Sequence, residues 1–488
     1  MKKIKNVSQW LDISCTKFPD KLSFSDGKES LTYRELRDKA LRIATFLAKN
    51  NYYKKPIVIR MDKTPSAIAA FFGCAYSGNI YVPVDVDMPT SRLTLIHSKI
   101  EVEFEITNDN YHSILETETD YDLIASISKK QADTDILYVL FTSGSTGTPK
   151  GVAVHNRGVI EYTEEISRIF QFSDKSIHAQ AVPLFFDSSI LPIYQTVMHG
   201  GTDYLIPKKV LLFPPQIIDF LNEYKCNSIY WVPTLYNMIA KLGVLDKKIP
   251  LYVNKCLFMG EAMPCSVLNV WRTKLPDALF ANLMGPTEVT DTFAYYIVDR
   301  DFADSDVLPI GHAYDNVSVF LLNENNQICK PGEIGEFCVS GSKISFGYYN
   351  DPEKTSQSFV QNPLNKHYNE IIYRTGDLGS INERGEFMSH GRKDFQIKIT
   401  GHRVELGEIE TVASSIPGVS LCACVFNKTQ QKIILLFVGN VSTEEIRAFL
   451  KKHLQSYMIP ASIINLPAMP MLGNGKVDRN KLRIDYAS

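Results

Sequence analysis

The stretch Asp135–Val154, DILYVLFTSGSTGTPKGVAV, constrains this chain more than any other. Ile136–Phe141 is a short, almost wholly apolar run, the pattern of a buried strand. It gives way at once to Thr142, Ser143, Gly144, Ser145, Thr146, Gly147, Thr148, Pro149, Lys150 and Gly151, which offer almost nothing that packs in a core. A strand that feeds such a loop suits the holding of phosphates. Glycines let backbone N–H groups turn toward an anion, hydroxyls donate further hydrogen bonds, and Lys150 supplies a point charge. The Walker A spacing is absent, because no Gly-Lys-Ser/Thr closes the loop. A polar turn or linker has a similar composition, but the flanking strands favour a nucleotide. Alone, the loop implies nucleotide binding and no more.

At 488 residues the chain can bury a large core and should divide into more than one domain. Lysine plus arginine number 52 against 54 aspartates and glutamates, a net charge of −2 that gives no case for nucleic-acid binding. The nine cysteines are scattered without Cys-x-x-Cys or metal-ligand spacing. Cys422 and Cys424 read as alternate positions on one strand. Such usage fits a reducing compartment and core packing better than disulfides or zinc. The N-terminus lacks the apolar region of a signal peptide, and no apolar run approaches the ~18 residues of a membrane span. The expected setting is a soluble, cytoplasmic one.

Along the chain, short apolar strands alternate with helical patterns, as in a layered α/β fold. Leu22–Ser25 and Leu31–Tyr33 read as strands, Glu35–Asn50 as a helix, Pro56–Arg60 as a strand and Ser66–Ser77 as a helix. Val159–Phe170 is a helix in this reading, and Ala179–Leu184 a strand that ends in Phe185-Phe186-Asp187-Ser188-Ser189. An aspartate among aromatics is costly to desolvate without a partner; Asp187 suits a helix N-cap equally well. Asn282-Leu283-Met284-Gly285-Pro286-Thr287-Glu288 joins an amide, a hydroxyl and a carboxylate at a turn, a set suited to adenine, phosphate and Mg²⁺. A turn before a capped helix would use the same residues. Beyond Asp304 the texture becomes all-β. Gly391-Arg392-Lys393-Asp394 marks the clearest boundary, giving domains at 1–393 and 394–488. The smaller has a strand–helix pattern and ends in Gly473-Asn474-Gly475-Lys476-Val477-Asp478-Arg479.

Taken together, these stretches resemble the amino-acid adenylation domains of the adenylate-forming superfamily. The nearest branch is that of nonribosomal peptide synthesis and the D-alanine–carrier protein ligases. The resemblance runs from Leu31-Thr32-Tyr33-Arg34-Glu35-Leu36 to Asn474–Arg479, nearly the whole chain. It implies a large N-terminal domain of layered α/β subdomains plus a β-rich subdomain, and a small mobile α+β C-terminal domain. It also implies ATP and Mg²⁺. Thr142 to Lys150 would cradle the β- and γ-phosphates, while Gly260, Glu261, Ala262 and Asn282 would bracket adenine. Thr287 would hold the α-phosphate and Glu288 would bind Mg²⁺. Asp377 and Arg392 match the ribose-binding pair, Asp394 the hinge and Lys476 the catalytic lysine. Asp187 matches the aspartate that pairs with the substrate's α-ammonium. The side-chain pocket aligns with Ser188, Leu191, Thr234, Leu257, Met259, Leu283, Asp291 and Thr292.

Two departures stand out. Met284 occupies the place before Gly285 where the family usually stacks a tyrosine on adenine, and a thioether also packs well on aromatic rings. The chain also ends nine residues after Arg479, so the expected carrier protein, with its phosphopantetheine thiol, is a separate partner. Within the pocket Asp291 is a surplus acid. It is either a solvent-facing or capping residue, or an ionised contact favouring a small or polar substrate side chain. An aryl or fatty acyl–CoA ligase on the same fold is the competing enzyme reading, and Asp187 argues against it, since a substrate without an ammonium would leave that acid unpaired. A catalytically silent nucleotide-binding relative would be expected to lack the lysines or Glu288.

Overall fold

Helices begin where the sequence caps them. Thr32 and Glu35 exchange hydrogen bonds in a capping box that starts Tyr33–Lys49, whose Leu36, Ala40, Ile43, Ala44 and Leu47 share a buried face. Thr64 caps Pro65–Ser77, with Pro65 in the first turn and Gly78 closing the helix in the left-handed region at φ +71°. These two helices pack closely at Gly73, where an added Cβ would stand 2.5 Å from Ile43 Cγ2. Each fully buried Leu or Ile along such a face contributes about 1.5–3 kcal/mol.

The protein, seen as a computed structural model, is described over residues 3–143, 148–394, 396–399, 401–427, 429–471 and 477–487. It is a mixed α/β fold with a large N-terminal and a small C-terminal part. By contact density it forms two units. One comprises Met1–Val86, Glu101–Leu140 and Val152–Gly391; the other comprises Asp87–Ile100, Phe141–Gly151 and Arg392–Ser488.

Among the described residues the first unit is built on a nine-stranded sheet. Its parallel strands lie in the order Leu279–Met284, Lys255–Met259, Ser228–Trp231, Ile177–Gln180, Thr202–Leu205 and Leu22–Ser25. Antiparallel strands complete the edges: Ala294–Ile297 and His312–Ala313 on one side, Ser30–Thr32 on the other. The parallel strands are buried on both faces, Ala179, Ile229 and Phe258 on one side and Tyr230 and Leu257 on the other. Their carboxyl ends lead into the turns that hold Asp187, Thr234, Glu261 and Thr287, and the carboxyl edge of a parallel sheet is where α/β folds bind ligands. A second sheet orders Phe104–Thr107, Pro56–Arg60, Ile80–Pro83, Ile136–Thr142 and Lys150–His155. It delivers the glycine-rich loop from the end of one strand.

Two sequence readings need correction. The strand read as Ala179–Leu184 is Ile177–Gln180, because Pro183 has no N–H for a central ladder and the chain turns out of the sheet before it. The region after Asp304 is not all-β. Between its strands stands the helix Pro352–Ser358, capped by Asp351 with Pro352 in the first turn, a start signal present in the sequence.

In the second unit the strands Val419–Asn427, Lys432–Gly439 and Ser462–Asn465 form a sheet flanked by the helices Leu406–Ser414, Thr443–His453 and Arg479–Tyr486. Cys422 and Cys424 point to one face of it and Ala423 and Val425 to the other. No disulfide joins any of the nine cysteines. A buried ion pair between Arg92 and Glu408 ties the helix Thr90–Ile100 to the helix Leu406–Ser414.

Candidate functional site

Asp187 opens a short 3₁₀ turn, Asp187–Ser189, just beyond a sheet strand. Its Oδ1 accepts the Ser188 N–H at 2.8 Å, and its Oδ2 accepts the Thr287 hydroxyl at 2.5 Å. The aspartate is therefore not the N-cap, a place taken by Phe186 without a side-chain capping bond; it bonds its neighbour's N–H and reaches across to the Thr287–Val289 turn.

The turn after Met284 carries the rest. Gly285 lies where a Cβ would meet Thr292 Cα at 2.3 Å, so only glycine lets the chain double back. Glu288 is fully buried and accepts the Tyr348 hydroxyl at 2.8 Å. Asn282 is buried with its amide donating to the Pro309 carbonyl at 2.9 Å, so that donor is used within the protein. Thr234 donates both its N–H and its hydroxyl to Glu261 Oε2, at 3.0 and 2.6 Å. Leu191, Leu257, Met259 and Leu283 are buried in one continuous core cluster together with Tyr230.

Asp291 is neither solvent-facing nor a cap. It is fully buried at φ +71°, and its Oδ2 accepts the hydroxyls of Tyr162 and Tyr230, the latter at 2.9 Å. Burial pushes its carboxyl up to about 7, helped by the charge of Asp187, against the pull of both tyrosine hydroxyls and of Lys343. The two aspartates therefore lie within electrostatic reach of each other. The ionised aspartate expected from the sequence is replaced by a carboxyl that titrates near neutrality.

This has a measurable consequence. An unfolded aspartate titrates near ~3.9, whereas Asp291 in the folded chain holds its proton to about 7. Its contribution to stability is full below the lower value and is lost as pH rises through the upper one. Asp291→Asn removes that dependence. The melting temperature of the variant relative to wild type is expected to improve steadily from about pH 4 to 8; a constant difference across that range would contradict the assignment.

In the second unit Thr142 and Ser143 lead into the glycine-rich loop, whose Gly144, Ser145, Thr146 and Gly147 lie outside the described residues. The Ser143 hydroxyl donates to the Arg403 carbonyl at 2.8 Å, and Lys150 stands 4.0 Å from Glu405. The Thr142 hydroxyl is buried with no protein partner among the described residues, which fits a phosphate acceptor there. Arg392 holds Asp394 through two parallel bonds of 2.7 Å. In the first unit Asp377 lies on the strand Ile371–Ile381 and donates its N–H to the Thr375 hydroxyl. Lys476 lies outside the described residues.

Among the described residues no cluster of three or more His, Cys, Asp or Glu side chains forms a metal cage. A buried Glu288 beside a hydroxyl still fits Mg²⁺, which binds through one or two carboxylates plus substrate phosphates. The sequence reading missed Tyr162, Tyr230, Tyr314, Lys343 and Tyr348, which read as ordinary core or loop residues in a linear scan.

Residues 11–349 match the AMP-binding enzyme family, and residues 408–476 match the AMP-binding enzyme C-terminal domain. The chain belongs to the AMP-binding enzymes. It is an adenylate-forming ligase, and such enzymes use ATP. This AMP-binding enzyme is 30% identical to zwittermicin A synthase ZmaJ of Bacillus cereus, over 96% of its own length and 92% of that protein's. It is 28% identical to a D-alanine–D-alanyl carrier protein ligase of Staphylococcus haemolyticus, with 96% of each chain covered. Three peptide-synthase relatives are far longer, and the chain spans 11% or less of each. The adenylation domain AlmE of Vibrio cholerae, solved with glycyl-adenosine-5′-phosphate, shares the fold at a TM-score of 0.85 and 20% identity, over 99% of this chain and 98% of that one. No helix among the described residues is long and apolar enough to cross a membrane.

Proposed function

We propose that this AMP-binding enzyme activates an amino acid as its aminoacyl-adenylate and passes the acyl group to the phosphopantetheine thiol of a separate carrier protein in the cytoplasm. The observation that carries the reading is Asp187, an acid held by Ser188 and Thr287 beside the carboxyl ends of the sheet. That acid suits an α-ammonium, whereas an aryl or fatty acid carries no positive group to pair with its charge. The D-alanyl carrier protein ligase among the relatives supports the carrier half of the reaction.

In the first half-reaction a substrate carboxylate oxygen attacks the α-phosphorus of ATP, and pyrophosphate leaves as its bond to that phosphorus breaks. The chain's task is to orient and to match charge, with little covalent work of its own. Asp187 anchors the ammonium, Thr287 is assigned to the α-phosphate, and Thr142 to Lys150 to the β- and γ-phosphates. Asn282, Gly260, Glu261, Ala262, Met284 and Gly285 are assigned to adenine, and Asp377 with Arg392 to the ribose. Glu288 would hold Mg²⁺, which when bound neutralises phosphate charge. Lys476 is assigned the bridge between carboxylate and α-phosphate oxygens. In the second half-reaction the thiol attacks the acyl carbon and AMP leaves. We assign Asp394 as the hinge between domains 1–393 and 394–488 that serve the two steps.

The test is ATP–pyrophosphate exchange over a panel of L- and D-amino acids, with and without Mg²⁺. Exchange that depends on both an amino acid and the metal is expected. Silence with every amino acid, alongside activity on benzoates or fatty acids with coenzyme A, would sink the proposal.

A further inference from the structure

A buried cation stands behind the turn that carries Asp291, and none of the motifs above accounts for it. Lys343 is fully buried. Its ammonium donates to the Thr292 carbonyl at 2.6 Å and lies 4.7 Å and 4.3 Å from the ring centroids of Tyr162 and Tyr314. Its own carbonyl accepts the Thr290 hydroxyl at 2.7 Å. Lys343 therefore holds the chain on both sides of Asp291.

What it holds is a strained conformation. Thr290 and Asp291 both lie in the left-handed region, at φ +54° and +71°. For residues other than glycine this conformation is unfavourable and persists only where the surroundings over-determine it. One of these rings serves the acid and the cation together. Tyr162 gives its face to Lys343 and its hydroxyl to Asp291, while the Tyr314 hydroxyl bonds to the Thr292 hydroxyl at 2.8 Å. With Oδ2 of Asp291 fully engaged, its Oδ1 is buried without a partner among the described residues. A buried acceptor left unmatched is destabilising, and a ligand's donor would relieve it.

We propose that Lys343 is a positioning residue for substrate choice: it fixes the Thr290–Thr292 turn from behind, so that Oδ1 of Asp291 faces a hydrogen-bond donor on the side chain of a short polar amino acid. Burial lowers the Lys343 amine to about 7, and the charges of Asp291, Glu165 and Glu161 work against that fall. Cation and acid thus moderate each other across the turn. The inference rests on the amino-acid reading above.

The experiment uses the full chain in ATP–pyrophosphate exchange with near-isosteric pairs in both chiral forms: serine and 2-aminobutyrate, threonine and valine, 2,4-diaminobutyrate and norvaline. Wild type is compared with Lys343→Met and Thr290→Val, the second keeping side-chain shape while removing the bond to Lys343. Wild type should prefer the polar member of at least one pair. In Lys343→Met that preference should fall at least about tenfold through KM for the polar member, with KM for ATP unchanged. Thr290→Val should fall in the same direction, and it decides the matter alone if Lys343→Met lacks a cooperative melting transition. A wild type that prefers no polar member, or variants that lose activity equally on both members, would overturn the proposal and leave amino-acid activation standing. Absence of exchange with every amino acid would overturn the underlying reading and this inference together.

Discussion

Lys476→Ala is expected to lower amino-acid-dependent ATP–pyrophosphate exchange by about 10²–10³-fold, the effect of removing one donor from a developing oxyanion. Thioester formation from supplied aminoacyl-adenylate should remain largely intact. The asymmetry follows from the charges. In the first half-reaction a carboxylate approaches an already anionic phosphate, so the bridging cation stabilises the transition state more than the separated reactants. In the second a thiol attacks a formed anhydride and the leaving group is AMP, so a lysine assigned to the first step has no charge of that kind to meet. Both half-reactions are to be followed on one preparation of the variant. Equal loss in both would show that Lys476 supports the fold and has no bridging role.

How much of this was legible in the sequence depends on how local each signal is. Ile136–Phe141 announces its strand within six residues, and Thr32 with Glu35 announces the start of a helix within four, because hydrophobic runs and capping bonds are made by neighbours. The candidate phosphate loop, the Asn282–Glu288 turn and Asp187 were legible for the same reason: each couples a strand end to polar residues that cannot pack. Asp291 was not. Its fate depends on Tyr162 and Tyr230, 129 and 61 positions away, and on Lys343, which no local pattern ties to it. Side chains so far apart meet only once the sheet has brought its strand ends together. Pro183 and Pro352 teach a narrower lesson. Both carry a local rule strong enough to end a strand or begin a helix, and a reading guided by apolar runs alone passes over them.

Asp187 makes the second large prediction, and it separates the two enzyme readings. Asp187→Ala should cost an amino-acid substrate about 2–5 kcal/mol in kcat/KM, roughly 30- to 5,000-fold, because truncation leaves the ammonium without its counter-charge. The same change should cost little, or give a gain, on the desamino acid with the same carbon skeleton, since that substrate offers the aspartate no charge to pair. The Thr287 hydroxyl complicates a simple reading, for it donates to Asp187 at 2.5 Å and is assigned to the α-phosphate. Losing its acceptor alters how that hydroxyl meets ATP, an effect that falls on both substrates alike and registers in KM for ATP. Asp187→Asn keeps the shape and an oxygen acceptor for Thr287 while removing the negative charge, so it isolates the ionic part. The decisive quantity is the ratio of kcat/KM between the amino acid and its desamino analogue. A collapse of that ratio in both variants assigns Asp187 to the ammonium. A ratio unchanged from wild type would make the aspartate a bracing residue of the Asp187–Ser189 turn, and the case against an acyl substrate without an amine would fall with it.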